Sequence, residues 1–224
     1  MGILPGNAGC VEAGLEVTPP PRAAIRFCRG ARGVPISAVA YLVRADILRA
    51  DIMDPADPLL RDCEARDLAA ITAIYRNAVL NGYGSFEIEP PDEAEMAARW
   101  RGLVAGASPY LVAEWQGAIA GYAYAGPYHR RAGYRLTVED SIYVAEAFQG
   151  RGIGRRLLRR LIEIETAAGL RQMVAVIGDS RNEASIRLHL AEGFAHVGTL
   201  REVGFKKGRW LDVVLMQRAL APHA

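Results

Sequence analysis

Lysine is nearly missing from this 224-residue chain: lysine and arginine together number 27, yet only Lys206 and Lys207 are lysines. That excludes a Walker phosphate loop, whose G-x-x-x-x-G-K-[ST] pattern ends on a lysine. Cysteine is scarce as well. Cys10, Cys28 and Cys63 are scattered without metal-ligand spacing and read as reduced thiols of a cytoplasmic protein, with no metal expected. No apolar run approaches the roughly 18 residues of a membrane span; the longest, Val34 to Val43, is too short. A formal net charge of +2 gives no basic excess that would mark nucleic acid as a partner. Internal repeats and heptads are absent. What remains is 51% hydrophobic residues, enough for one domain with a full core.

The chain changes character near residue 57. Before it come Pro19-Pro20-Pro21, scattered glycine and arginine, and no sustained period. This part is expected to be a poorly ordered extension, residues 1–57, without the pattern of a secretory signal. The expected functional start lies near Met53, followed by Asp54-Pro55-Ala56-Asp57-Pro58, with the preceding segment either loosely ordered or an upstream translation artefact. Residues 58–220 form the expected domain and 221–224 a tail.

From Leu59 onward the periods alternate between two and 3.6 residues. Strands are expected at Leu59–Cys63, Tyr110–Trp115, Ala118–Ala125, Thr137–Val144, Met173–Ile177, Ala195–Leu200 and Leu211–Gln217, with Gln116-Gly117 as a hairpin turn. Helices are expected over Ala65–Leu80, after Pro91-Asp92, over about Arg155–Ala168, and after Asn182, which suits an N-cap. The order is β-α-α-β-β-β-α-β-α-β-β. It predicts an α/β (α+β) chain with a mixed, mostly antiparallel seven-stranded sheet flanked by helices on both faces.

The densest signal is Gln149-Gly150-Arg151-Gly152-Ile153-Gly154, between the strand ending at Val144 and the amphipathic helix. Glycines there permit close approach of a ligand to the main chain, and the first helical turn offers free N–H groups to an anion. A dinucleotide fingerprint fails because Arg155 stands where its third glycine belongs. The pattern Q/R-x-x-G-x-G/A is met by Gln149, Gly152 and Gly154. An ordinary helix-entry turn remains the alternative. About thirty residues on, Asn182 to Phe194 fits N-x-x-[AS]-x-x-L-[YH]-x-x-x-G-F.

These two segments together resemble the pyrophosphate loop and second acetyl-CoA segment of the GCN5-related N-acetyltransferase (GNAT) superfamily. Ala123 to Pro127, Thr137 to Val144, Val174 to Ile177 and Val203 to Asp212 narrow the resemblance to the phosphinothricin and methionine sulfone/sulfoximine N-acetyltransferases. It spans roughly Leu59 to Leu220. The G-F-K-x-G-x-W-x-D segment, Gly204 to Asp212, is its most specific part.

The resemblance implies direct attack of an amino-acid amine on the thioester of acetyl-CoA, with no metal. A protonated amine must lose a proton before it attacks, so a base is needed. Glu139 matches the carboxylate of this family; the alternative is a solvated strand-end carboxylate. Asp140 falls on the opposite face by alternation unless a bulge re-aims it. His189 falls on the histidine slot that would protonate the departing thiolate, or else it is a packing histidine. Backbone groups of Ile142, Tyr143 and Val144, the turn from Gln149 through Gly150, Arg151, Gly152, Ile153 and Gly154 to Arg155, and Asn182 would hold acetyl-CoA. Arg155 can equally be a solvated helix residue. Acceptor contacts are implied at His129, Arg130 and Arg131, with Glu139, Asp140 and Ser141 beside them and Phe86 as an apolar pocket wall or a core residue. His129, Arg130 and Arg131 depart from an Arg-Pro-aromatic pattern of some relatives, which bears on fine specificity. Relatives are usually homodimers. Other readings keep the fold with a peptide or polyamine acceptor, or make the chain a non-catalytic acyl-CoA sensor. The arginines of the 128–135 connection argue against polyamines, and intact Glu139 and His189 argue against a sensor.

Overall fold

The computed structural model describes residues 57–220. The expectations for the N-terminal extension and the 221–224 tail lie outside the described residues. Seven strands and four α-helices follow in order: β1 (Leu59–Asp62), α1 (Leu68–Asn81), α2 (Glu93–Ala105), β2 (Tyr110–Trp115), β3 (Ala118–Pro127), β4 (Thr137–Val144), α3 (Ile153–Ala167), β5 (Gln172–Gly178), α4 (Glu183–Ala191), β6 (Ala195–Lys206) and β7 (Arg209–Ala219). Among the described residues no helix is long and apolar enough to cross a membrane.

The strands form one sheet in the order β1-β2-β3-β4-β5-β7-β6. Every neighbouring pair is antiparallel except β4 and β5. Alternation of side chains supplies an apolar layer to each face. On one, α3 seats Leu157, Leu158, Leu161 and Ile164 on Leu111, Ala123, Ala125, Met173 and Met216. On the other, α1 and α2 cover Val112, Tyr110 and Tyr122 with Ile71, Ile74, Tyr75, Val79 and Met96. The expected helices on both faces are therefore present.

The helix starts follow their caps. Asp92 accepts from the Glu95 N–H at 2.8 Å, and Asn182 accepts from the Ser185 N–H at 3.2 Å. Most element ends fall within two residues of expectation, and three departures have a clear local cause. Ala65–Asp67 is a separate 3₁₀ turn before α1, because the Asp67 carboxylate is taken by the Glu64 N–H at 2.8 Å and by Arg61. Helix α3 begins at Ile153, two residues early, because Gly152 already turns the chain as its cap. Strands β6 and β7 are longer than their alternation indicates. The ladder slips between Leu200 and Gly204, where Glu202 takes φ 51° and its N–H is held by Asp212 at 3.0 Å. Pairing resumes beyond the slip, which the sequence pattern hides.

The feature that positions the site is the parting of β4 from β5. Only Thr137–Gln172, Val138–Met173 and Glu139–Val174 are paired between them. β4 stays paired with β3 through Val144, and β5 with β7 through Gly178. Beyond residue 139 the two strands diverge, and each presents an unpaired backbone edge inside the sheet.

Candidate functional site

A cavity of about 440 Å³ fills this divergence. Its walls come from β4 (Asp140 to Val144), β5 (Ala175 to Gly178), the end of α1 and the connection after it, and Asn182, Ser185 and His189 of the α4 segment. At its mouth the chain turns through residues 149–152. Gly150 and Gly152 take φ of 74° and 78°, a region that strains other residues, and Gly152 caps α3. The N–H groups of Ile153, Gly154 and Arg155 open the helix without intrahelical acceptors, a ready-made anion seat. The Gln149 amide donates to the Val144 carbonyl at 3.4 Å, tying the turn to the strand end.

The nominated cations are differently disposed. Arg151 stacks over Trp115 at 5.4 Å. Arg155 pairs with buried Glu192 at 2.6 Å, while more than half of its side chain remains exposed.

Glu139 and Asp140 face opposite ways. The β3–β4 register runs without a slip, so no bulge re-aims either. Glu139 lies on the α1–α2 face, half-buried, with Ser141 on the same side, opposite Tyr124 of β3. Burial, and to a lesser degree the charge of Asp140, raises the pKa of Glu139 above the usual carboxylate value. Asp140 lies on the other face, 7% exposed, and its Oδ2 is 3.0 Å from Nε2 of His189. His189 Nδ1 donates to the Ser185 carbonyl at 2.7 Å. A carbonyl and a carboxylate only accept, so the geometry fits a ring protonated on both nitrogens. Burial pulls the His189 pKa down, but the Asp140 bond and charge outweigh it and hold it above the ordinary histidine value. The second carboxylate oxygen of Asp140 is buried without a hydrogen-bond partner.

Of the other nominated residues, Ser141, Ile142, Tyr143, Val144, Gln149 and Asn182 line the cavity. His129, Arg130 and Arg131 do not; they lie on an exposed connection where His129 packs against Tyr128 and Tyr134 at ring distances of 4.3 and 4.9 Å. Nor does Phe86 line it: its ring sits against Gly204 of β6, and Gly82, Gly84 and Ser85 of its loop form the wall instead. The partnership of Asp140 with His189, 49 residues apart, had no signal in the sequence. The wall from α1 had none either. Among the described residues no grouping of three His, Cys, Asp or Glu could hold a metal ion.

An unpaired strand edge beside an anion-binding turn is the arrangement expected for a phosphate-bearing ligand with an amide-rich arm. Comparisons with known proteins agree. Residues 55–194 match the Acetyltransferase (GNAT) family model. The chain is 52% identical to phosphinothricin N-acetyltransferase of Alcaligenes faecalis over 154 residues, 69% of this chain and 78% of that protein. It is 42% identical to the L-methionine sulfoximine/L-methionine sulfone acetyltransferase of Salmonella typhimurium over 165 residues, 74% of this chain and 96% of the other. A solved structure of a phosphinothricin acetyltransferase from Sinorhizobium meliloti, in complex with AcCoA, superposes with a TM-score of 0.71 at 48% identity, covering 73% of this chain and 88% of that one. The parted strands, the glycine turn and these likenesses place the chain in the GNAT family of acetyltransferases.

Proposed function

We propose that this protein transfers an acetyl group from acetyl-CoA to the free amine of a small amino-acid-like substrate of the phosphinothricin or methionine sulfoximine/sulfone type. The observation that carries the reading is the parted β4–β5 seam with the Gln149–Gly154 turn at its mouth. The relatives' printed activities support the acceptor class. When bound, acetyl-CoA supplies a thioester carbon open to attack and a thiolate leaving group.

The chain's own residues do the rest. Backbone groups of Ile142 to Val144, left unpaired on the β5 side, hold the pantetheine arm as an added strand would be held. The N–H groups after Gly152 hold the pyrophosphate, and Arg151 and Arg155 add charge at the mouth. Asn182, its Oδ1 engaged in capping, offers its amide N–H groups to the arm. Glu139 accepts the amine's proton, directly or through a water. Its burial makes it more basic than a solvated carboxylate and so better matched to that task. His189, held by Asp140, carries the proton for the departing sulfur. His129, Arg130 and Arg131 steer the acceptor's carboxylate and head group from the exposed connection.

The test is release of CoA thiol from acetyl-CoA across phosphinothricin, methionine sulfoximine, methionine sulfone, common amino acids, a polyamine and a short peptide. Saturable release with one of the first three is expected. Release only with another amine would overturn the acceptor class while keeping acetyl transfer.

The reading extends to a cytoplasmic homodimer. Val197, Leu200, Val203, Phe205 and Trp210 are between 49% and 61% exposed on the last hairpin, an apolar surface that a second copy would cover. Light scattering of the purified chain should give the dimer mass; a monomer at all concentrations would remove this part.

A further inference from the structure

Both lysines of this arginine-rich chain stand where β6 gives way to β7, Lys206 as the last residue of β6 and Lys207 in the turn. Lys206 is 3% exposed, a rare state for an ammonium with no ion pair among the described residues. Its Nζ donates to the Ser85 carbonyl at 2.7 Å. Methionine would fill the same space without taking a charge out of water, so the bond is what accounts for the ammonium.

Ser85 belongs to the connection between α1 and α2 that roofs the cavity. Its hydroxyl also lies 3.0 Å from the Tyr75 phenol of α1. The same hairpin grips this connection at three further points. The Phe86 ring lies so close to Gly204 that a Cβ there would come within 2.3 Å of it. Arg209 and Lys207 lie over the Tyr83 ring at 4.3 and 5.1 Å. The hairpin also holds the β5–α4 turn: Asp212 accepts from the Ser180 hydroxyl at 2.8 Å, and Arg209 pairs with Asp179 at 2.7 Å. The Gly204–Asp212 segment is therefore a brace on two loops that wall the cavity.

We propose that Lys206 is a positioning residue, whose buried ammonium fixes residues 82–87 over the cavity and thereby sets acceptor affinity. The effect of Lys206 falls on the acceptor rather than on acetyl-CoA: among the described residues the Lys206 ammonium bonds only Ser85, while the turn leading to Asn182 is held by Asp212 and Arg209 instead. The loop-ordering part rests on geometry alone; the acceptor part rests on the acetyl-transfer reading.

The test is Lys206→Met in the full chain, with Gly204→Ala as a second probe that displaces Phe86 from the other side of the brace. Each is expected to raise the acceptor KM by about tenfold, the scale of one charge-assisted bond, with kcat and acetyl-CoA Kd within about twofold. Deuterium uptake over residues 82–89 should rise while that of α3 stays unchanged. Unchanged uptake with unchanged KM would overturn the proposal. So would a fall in acetyl-CoA affinity with increased uptake throughout the sheet, since Lys206 would then merely hold the fold. If Lys206→Met does not accumulate, Gly204→Ala carries the test alone. Should the wild type acetylate no amine, the functional reading falls, and the uptake comparison still decides the brace.

Discussion

The two faces of β4 give neighbouring carboxylates opposite circumstances. Asp140 is buried, locked to His189, and joined through it to helix α4. Glu139, one residue earlier, is half-buried with no hydrogen-bond or ion-pair partner among the described residues, and burial raises its pKa. On the proposed mechanism, a strand's alternation thus separates the carboxylate that holds His189 from the one that takes the amine's proton. Identical chemistry on one strand acquires two roles from what each face packs against.

Removing the free carboxylate should have the largest effect. Glu139→Gln is expected to lower kcat by about 10²–10⁴-fold, the usual scale of general-base catalysis, with acetyl-CoA affinity retained. The acid limb of the pH–rate profile, which burial of Glu139 sets above the usual carboxylate range, should vanish. An unchanged limb would remove Glu139 from the mechanism.

Breaking the locked face comes next. Asp140→Asn should cost about 3 kcal/mol, the scale for losing one partner of a buried pair. The sign follows from the raised pKa of His189. Stabilisation by the pair is full below the unfolded histidine value, about 6.5, and fades as pH rises through the folded value. Urea titrations should therefore find the gap between wild type and variant wide near pH 6 and narrower near pH 9. A gap independent of pH would mean the pair is not ionic. The smallest change is Tyr124→Phe, which removes the phenol hydroxyl of the residue opposite Ser141, beside Glu139. It should cost about 1 kcal/mol, seen as a few-fold fall in kcat/KM with the His189 side untouched.

Much of this was legible in the sequence where a local rule governs. The positions of all seven strands and four helices followed from period and caps, and the opposed faces of Glu139 and Asp140 followed from alternation. The glycine turn announced itself because few residues tolerate its backbone. What escaped were long-range outcomes. The parting of β4 and β5 is a matter of register between strands 35 residues apart, as in Thr137–Gln172. The Asp140–His189 bond depends on where α4 docks. Phe86 was expected at the pocket wall, but a gap over Gly204 on a distant strand takes its ring. The length of β6 was masked by the slip at Leu200–Gly204, since a pattern reader stops where alternation does.

The parting of β4 from β5 also has a mechanical consequence. Strands β1 to β4 and β5 to β7 are two ribbons riveted at one end by three residue pairs. A ligand arm lying along the open seam would act as a splint between them. At a concentration of about 100 Kd such a ligand adds about 2.7 kcal/mol to the folded state. Pulling the ribbons apart from their free ends would meet that resistance first, and the seam would tear as a zipper does, from Val144 toward Thr137.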